Sequence, residues 1–482
     1  MTKNKFLRLT SLLVLLTVSL ALSAQKQIVV FSTNDMHARI HNFGKIAAYI
    51  QEFRQQNPKV DVLVLSGGDL FSGNPVVDQY PEKGYPIVDL MNRVGYAYSA
   101  FGNHEFDYGP ETLQKRVEQA NFQFLCSNFQ VDENCPLKQP EAYKIFKIGK
   151  IKVGIVGVIE ATMHSTGKRH PSCHPDRVKG ISFTDPVETI QEYKGLRKDC
   201  NLFLALSHAG YDQDLRIADA MPELDAIVGA HTHTKIDTLL LRNNVLVTQA
   251  GCYTEYLSKL TFTFKGKKLV NREYELIDVR KLKAEDQEIS QMAQEFKDKS
   301  PLKDVLAQAV EQLDGKEELG GLMCDALVAH YHADMAFQNS GGVRLGQLKK
   351  GPITLEDVYS LDPFGNSVFV FDMTGRQIQD LLRTSHRNAS MRADLMCSGL
   401  KYTIRMKDKK AYQVDLTDEQ GNPLDLDKTY RVAMNSYIAS SKKFEGTLVL
   451  ESTDSASDAL IEYLKAQKTI RKDIHRTQVV ED

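Results

Sequence analysis

From residue 27 to about 279, short β-rich apolar runs alternate with stretches whose apolar positions recur every three to four residues. The runs at 28–31, 60–65, 98–101, 122–126, 153–158, 202–207, 226–229 and 245–248 read as strands. Helices are predicted at 44–55, 86–94, 110–119 and 186–196. Three of them carry a proline in the first turn (Pro86, Pro110, Pro186), where its missing N–H costs nothing. Strands alternating with helices predict an α/β layered domain with much parallel pairing. Two further runs, 257–264 and 269–279, flank Lys265-Gly266-Lys267 and predict an antiparallel hairpin that closes this half.

The pattern then changes. From 281 to 313 the chain is charged, with helix-spaced apolar positions over 284–296 and 302–313, so a helical linker is expected over 281–317. The remainder, 318–482, opens with an amphipathic helix at 319–332 and continues as mixed α+β. Within it, Thr374 reads as the N-cap of a helix running to about Arg383.

The first 24 residues stand apart. Lys3, Lys5 and Arg8 precede an apolar run from 9 to 22, followed by the small residues Ser23 and Ala24. That is the pattern of a secretory signal peptide, and the run falls short of the ~20 apolar residues a membrane span needs. A catalytic domain over 25–280 is therefore expected in an exported protein, periplasmic or secreted, without a membrane span after signal removal. The 482-residue chain has 60 Lys plus Arg against 62 Asp plus Glu, a balance that excludes a nucleic acid polymer as the obvious partner. Seven scattered cysteines form no disulfide framework, although Cys126 and Cys135 are spaced to bridge one loop in an oxidising compartment.

Candidate chemistry sits where the predicted strands end. Asn34-Asp35-Met36-His37 follows the first, Gly67-Gly68-Asp69 the second, and Gly102-Asn103-His104-Glu105 the third. Ser207-His208-Ala209-Gly210 and Gly229-Ala230-His231-Thr232-His233 end two strands further on. Ligands bind at the carboxyl ends of strands in α/β sheets, so these five loops are expected to converge. Asp, Asn and His offer hard oxygen and borderline nitrogen donors with no thiolate, a set suited to Zn²⁺, Mn²⁺, Fe or Co. The seven candidate ligands are Asp35, His37, Asp69, Asn103, His208, His231 and His233. They are too many for one ion and suit two, the arrangement that serves phosphoryl transfer. Spacing alone leaves His104 open to a role as a further ligand.

Thr33-Asn34-Asp35-Met36-His37, Gly68-Asp69, Gly102-Asn103-His104-Glu105-Phe106-Asp107 and His231-Thr232-His233 together resemble the calcineurin-like metallophosphoesterases. The third of these motifs is specific to the 5'-nucleotidase branch. The second half is similar as well: 319–326, Asn339-Ser340-Gly341-Gly342-Val343-Arg344 and Asp362-Pro363-Phe364-Gly365-Asn366 resemble that family's substrate-binding domain. The resemblance implies an αββα sandwich followed by an α+β C-terminal domain. It implies one metal held by Asp35, His37, Asp69 and His233, and another held by Asp69, Asn103, His208 and His231. His104 becomes the catalytic group beyond the metals, oriented by Asp107. Asn339 and Arg344 bind polar groups of a nucleotide, and Phe364 stacks on its base.

Three departures stand out. His233 occupies a position where many members have Gln or Asn. The family's glycine-rich turn is replaced by 435–444, leaving Phe444 as the expected second stacking ring, and an arginine usual before the 319 helix has no counterpart. The implied function is hydrolysis of nucleoside 5'-monophosphates by a monomer or homodimer. The alternatives are a 3'-nucleotide, a 2',3'-cyclic nucleotide, a UDP-sugar or NAD as substrate, or a nucleotide-binding protein without turnover.

Overall fold

The computed structural model describes residues 25–163, 167–299, 301–386, 391–472 and 476–481; the expected signal peptide lies outside them. Among the described residues no helix is long and apolar enough to cross a membrane.

The first half is built on two six-stranded sheets. In one, Lys26–Thr33, Asp61–Ser66, Tyr98–Ala100 and Gln123–Leu125 run parallel in that order. The hairpin Tyr256–Lys265 and Lys268–Asp278 extends this sheet antiparallel from Lys26–Thr33. In the other, Ile151–Ile159, Leu202–His208, Ala226–Val228 and Val245–Thr248 run parallel, with antiparallel strands at both edges.

Side-chain alternation explains the layering. Successive residues of a strand point to opposite faces. Ile28 and Val30 therefore join Leu202, Leu204 and Leu206 in a core between the two sheets. Their neighbours Val29 and Phe31 pack outward with Ile46, Ile50 and Leu90 of the covering helices. Phe203 and Ala205 do the same on the far side, against Ile217 and Ala218. The result is the expected αββα sandwich.

The helix Pro110–Gln119 and the strand Val245–Thr248 form over the expected residues. The helix expected at 186–196 does not run through. It is α-helical over Pro186–Ile190 and then tightens into 3₁₀ turns over Gln191–Asp199, where no residue is buried. All seven cysteines are free thiols, so no bridge joins Cys126 to Cys135.

The expected helical linker is corrected. Its first helix forms, at Gln287–Asp298, but Ile289, Ala293 and Phe296 belong to the catalytic half's core. Its second helix does not exist. Val305–Ala309 is a strand, pairing antiparallel with Gly351–Thr354 and parallel with Thr469–Ile470. Apolar residues at 302, 305, 306, 309 and 313 satisfy helical spacing, but partners distant in sequence decide the outcome.

The second half centres on a five-stranded sheet, in the order Leu395–Ser398, Met335–Asn339, Thr429–Asn435, Ser367–Thr374, Thr447–Ser455. The helix Gly315–Tyr331 buries Leu319, Leu322, Met323 and Leu327. Thr374 caps Gly375–Ser385 as expected: its side chain accepts from the Gln377 N–H, and Gln377 answers the Thr374 N–H.

Candidate active site

The parallel strands of both sheets deliver their loops to one edge of the sandwich. The tightest of these is Gly102–Asp107. Phe101 and Phe106 at its two ends are buried against Phe124 and Phe129. Each such burial contributes about 1.5–3 kcal/mol, enough to pin the polar residues between them. Gly102 is required by space, since a Cβ there would lie 2.2 Å from Asp69 Oδ1.

The buried Asp69 is the pivot. Its Oδ1 accepts from the His104 N–H at 2.9 Å. Its Oδ2 lies 3.2 Å from His208 Nε2 and 3.8 Å from His37 Nε2, so one carboxylate oxygen faces two histidines delivered by strands of different sheets. On one side, ligand atoms of Asp35, His37 and His233 all fall within 4.8 Å of one another; on the other, those of Asp69, His208 and His231 do the same. His231 Nδ1 is 3.0 Å from Asn103 Oδ1, which adds Asn103 to the second group. His37 Nε2 and His233 Nε2 stand 3.0 Å apart. The structure thus brings all seven expected donors together.

Their orientation is fixed by the backbone. His37 Nδ1 donates to the Ser72 carbonyl at 3.0 Å and His208 Nδ1 to the Gly67 carbonyl at 2.8 Å, leaving both Nε2 lone pairs for the cluster. The His231 N–H donates to both oxygens of Asp35 at 3.0 Å. Asp35, His37, Asp69, His231 and His233 all have positive φ, a conformation costing a non-glycine residue about 1–2 kcal/mol. Strain concentrated on five of seven donors marks a functional site.

The electrostatics suit cations. Burial pushes Asp35 up to about 7. Burial also opposes charge on Asp69, yet His208 and His104 hold it well below the usual carboxylate range. Burial disfavours charge on His208 too, but Asp69 and Asp35 carry it up to about 10. Burial, with His208 beside it, brings His231 down to about 3, and burial, with Arg344 and His104 beside it, brings His233 down to about 4, so both present neutral imidazoles. Without a cation, the upward shift of His208 puts a proton on its Nε2, which is buried with no hydrogen-bond partner and has Asp69 Oδ2 at 3.2 Å. A divalent cation between this nitrogen and the two carboxylates would take the place of the proton.

His104 stands next to this cluster. Its Nδ1 is 2.6 Å from Asp107 Oδ2, and burial, which opposes its charge, is outweighed by Asp107 and Asp69. One of its nitrogens also lies within 4.8 Å of ligand atoms of His37 and Asp69.

A cavity of about 400 Å³ joins the donors to the second half of the chain. Asn339, Arg344 and Phe364 line it, as expected. The Phe364 ring lies parallel to His104 with centroids 6.0 Å apart, and the Arg344 guanidinium sits 5.7 Å from the Phe364 centroid. Phe444 is the exception. It is absent from the lining and packs edge-on against Phe371 at 5.1 Å, because the chain there winds into the helix Ser436–Ser441. Tyr437 of that helix reaches the cavity in its place.

The sequence left Glu105 without a role, and the structure supplies one. Its buried carboxylate accepts from the N–H groups of Asp69, Leu70 and Gly102, tying two ligand loops together. Asn34 acts similarly, joining the Asp35 loop to Ala250 and Gly251. Ser172, Cys173 and His174 also line the cavity and carried no sequence signal.

Fold and donors together define a metal-dependent phosphoester hydrolase. Residues 28–235 match the calcineurin-like phosphoesterase family, and residues 300–445 match the 5'-nucleotidase C-terminal domain. The chain belongs to the 5'-nucleotidase family of calcineurin-like metallophosphoesterases. It is 28% identical to a 5'-nucleotidase of Vibrio cholerae over 86% of this chain and 84% of that protein. It is 30% identical to a trifunctional nucleotide phosphoesterase of Bacillus subtilis over 85% of this chain, spanning 32% of that longer relative. The crystal structure of a 5'-nucleotidase precursor from Thermus thermophilus superimposes with a TM-score of 0.78 at 27% identity, covering 94% of this chain and 99% of that one.

Proposed function

We propose that the protein hydrolyses nucleoside 5'-monophosphates to nucleoside and phosphate with two divalent cations. The observation that carries this is the buried Asp69 Oδ2 facing His208 and His37 beside the His104–Asp107 pair. Asp35, His37, Asp69 and His233 would hold one cation, and Asp69, Asn103, His208 and His231 the other. Zn²⁺, Mn²⁺, Co²⁺ or Fe²⁺ suits these donors. Bound there, such cations supply a water of lowered pKa and offset charge on the phosphoryl oxygens.

The chain's own groups do the rest. Asp107 holds the His104 imidazole so that its other nitrogen faces the transferring phosphoryl group and stabilises the charge that grows there. In this reading His104 is the hydrogen-bond donor to the phosphoryl group and not a ligand. Arg344 and Asn339 bind the substrate's polar groups, and Phe364 stacks on the base, with Tyr437 rather than Phe444 as the second ring. The leader at 1–24 would export the enzyme to the periplasm or beyond.

The test is phosphate release, with added Mn²⁺, Co²⁺ or Zn²⁺, from AMP, 3'-AMP, 2',3'-cyclic AMP, UDP-glucose, NAD and p-nitrophenyl phosphate. AMP should be turned over fastest. Metal-loaded protein that hydrolyses none of them would be a binding protein instead.

A further inference from the structure

A second cavity, of about 520 Å³, opens beyond the first, and Asp107, His174, Phe364 and Asn366 line both. Its floor is the C-terminal sheet. Phe369 and Phe371, two apart on one strand, lie with rings nearly parallel at 6.3 Å, and Leu448 of the edge strand lies beside them. Its opposite wall comes from the catalytic domain, through the short turn Pro175–Val178.

That turn is docked across the domain boundary. His174 Nδ1 accepts from the Asp176 N–H at 3.2 Å, and His174 Nε2 lies 3.5 Å from Ser440 Oγ on the helix Ser436–Ser441. Arg177 is thereby held at the cavity wall. Among the described residues its guanidinium has no hydrogen-bond or ion-pair partner. Of the carboxylates around it, Asp176 pairs with Lys179 at 2.8 Å and Asp107 with His104, while Glu111 faces the same glycine, Gly109, as Arg177 without bonding it. Lys83 adds positive charge nearby, its ammonium pulled down by burial and by Arg177. Glu451, on the floor, is the remaining acid in the lining and is exposed.

An unpaired guanidinium fork at the wall of a cavity continuous with a nucleotide site suits a phosphate monoester. Position selects which one. Phe364 lines both cavities, so a base stacked on it puts the ribose at the junction, with the 5'-phosphate toward the metal donors and the ribose 2' and 3' positions toward His174 and Arg177. We propose that Arg177, on the turn that His174 docks against Ser440, forms a subsite for a second phosphate group, carried on the ribose at the 2' or 3' position. Nucleoside bisphosphates are then the preferred substrates. This rests on the nucleotidase reading of the first cavity.

The test compares kcat/KM of the Mn²⁺-loaded full chain on AMP, adenosine 3',5'-bisphosphate and adenosine 2',5'-bisphosphate. At least one bisphosphate should be preferred roughly tenfold or more, the effect of a charged hydrogen bond. Arg177→Gln should bring that ratio to within about twofold of unity. Lys138→Gln, which removes an exposed charge elsewhere, should leave it standing. Equal use of all three by the unmodified protein, or a ratio untouched by Arg177→Gln, overturns the subsite. Calorimetric binding of the same nucleotides separates the two readings. If nothing is hydrolysed but a bisphosphate binds tighter through Arg177, the nucleotidase reading fails and the subsite stands.

Discussion

His104 lies between His37, at 4.9 Å, and Phe364, with Asp107 on its Nδ1. In the proposed function a group so placed acts on the substrate without holding a cation. His104→Ala should therefore lower kcat by roughly 10²–10⁴ while metal content, read by inductively coupled plasma mass spectrometry, stays at the unmodified level. Loss of one equivalent would make His104 a ligand. Glu105 works differently, through three backbone N–H groups. Glu105→Gln places an amide N–H against at least one of those donors, so it should cost about 1–3 kcal/mol and lower the melting temperature. It should also weaken metal retention in dialysis, which a merely solvated glutamate would not do. The donors themselves were legible in the sequence because Asp, Asn and His cluster behind glycines at strand ends. Glu105 was not, because two of its three partners come from a loop more than thirty residues away. Nor does any residue type announce the positive φ of Asp35, His37 and Asp69.

At the scale of elements, the loop Gly102–Asp107 owes its shape to what flanks it. Phe101 and Phe106 anchor the ends, and Gly102 lets Asp69 come close. Gly102→Ala would drive a methyl into Asp69 Oδ1, with the Asp69 N–H and the His208 ring also within 3 Å. Overpacking of this kind costs about 1–3 kcal/mol, and here the displaced atom is the pivot of the cluster. The variant should fold with a lowered melting temperature and lose metal together with turnover; an unchanged metal content would show that the loop has room to spare. Elements with strong local signals were readable in advance. Thr374 and Gln377 form a capping box from four consecutive residues, and the 28–31 run forms a strand because both of its faces are buried. The segment at 302–313 was misread because its spacing suits two structures, and strands more than 40 and more than 160 residues away choose between them. Phe444 was misplaced for a related reason. A ring near the right position in the chain points elsewhere once its loop becomes a helix.

At the scale of the molecule, the catalytic sandwich supplies the donors and the C-terminal domain supplies Asn339, Arg344, Phe364 and Tyr437, so the site is complete only where the two meet. The motifs announced both halves and, through the resemblance, one nucleotide between them, but not that His174 would contact Ser440 across the boundary. The proposed function turns on Asp69 being shared between two cations. The direct measurement is a metal titration: strip the protein with a chelator, add Mn²⁺ in measured equivalents, and follow phosphate release from AMP. Activity should be absent after stripping and reach its plateau at two bound equivalents per chain. A full rate at one equivalent, or no phosphate release with two bound, would contradict it.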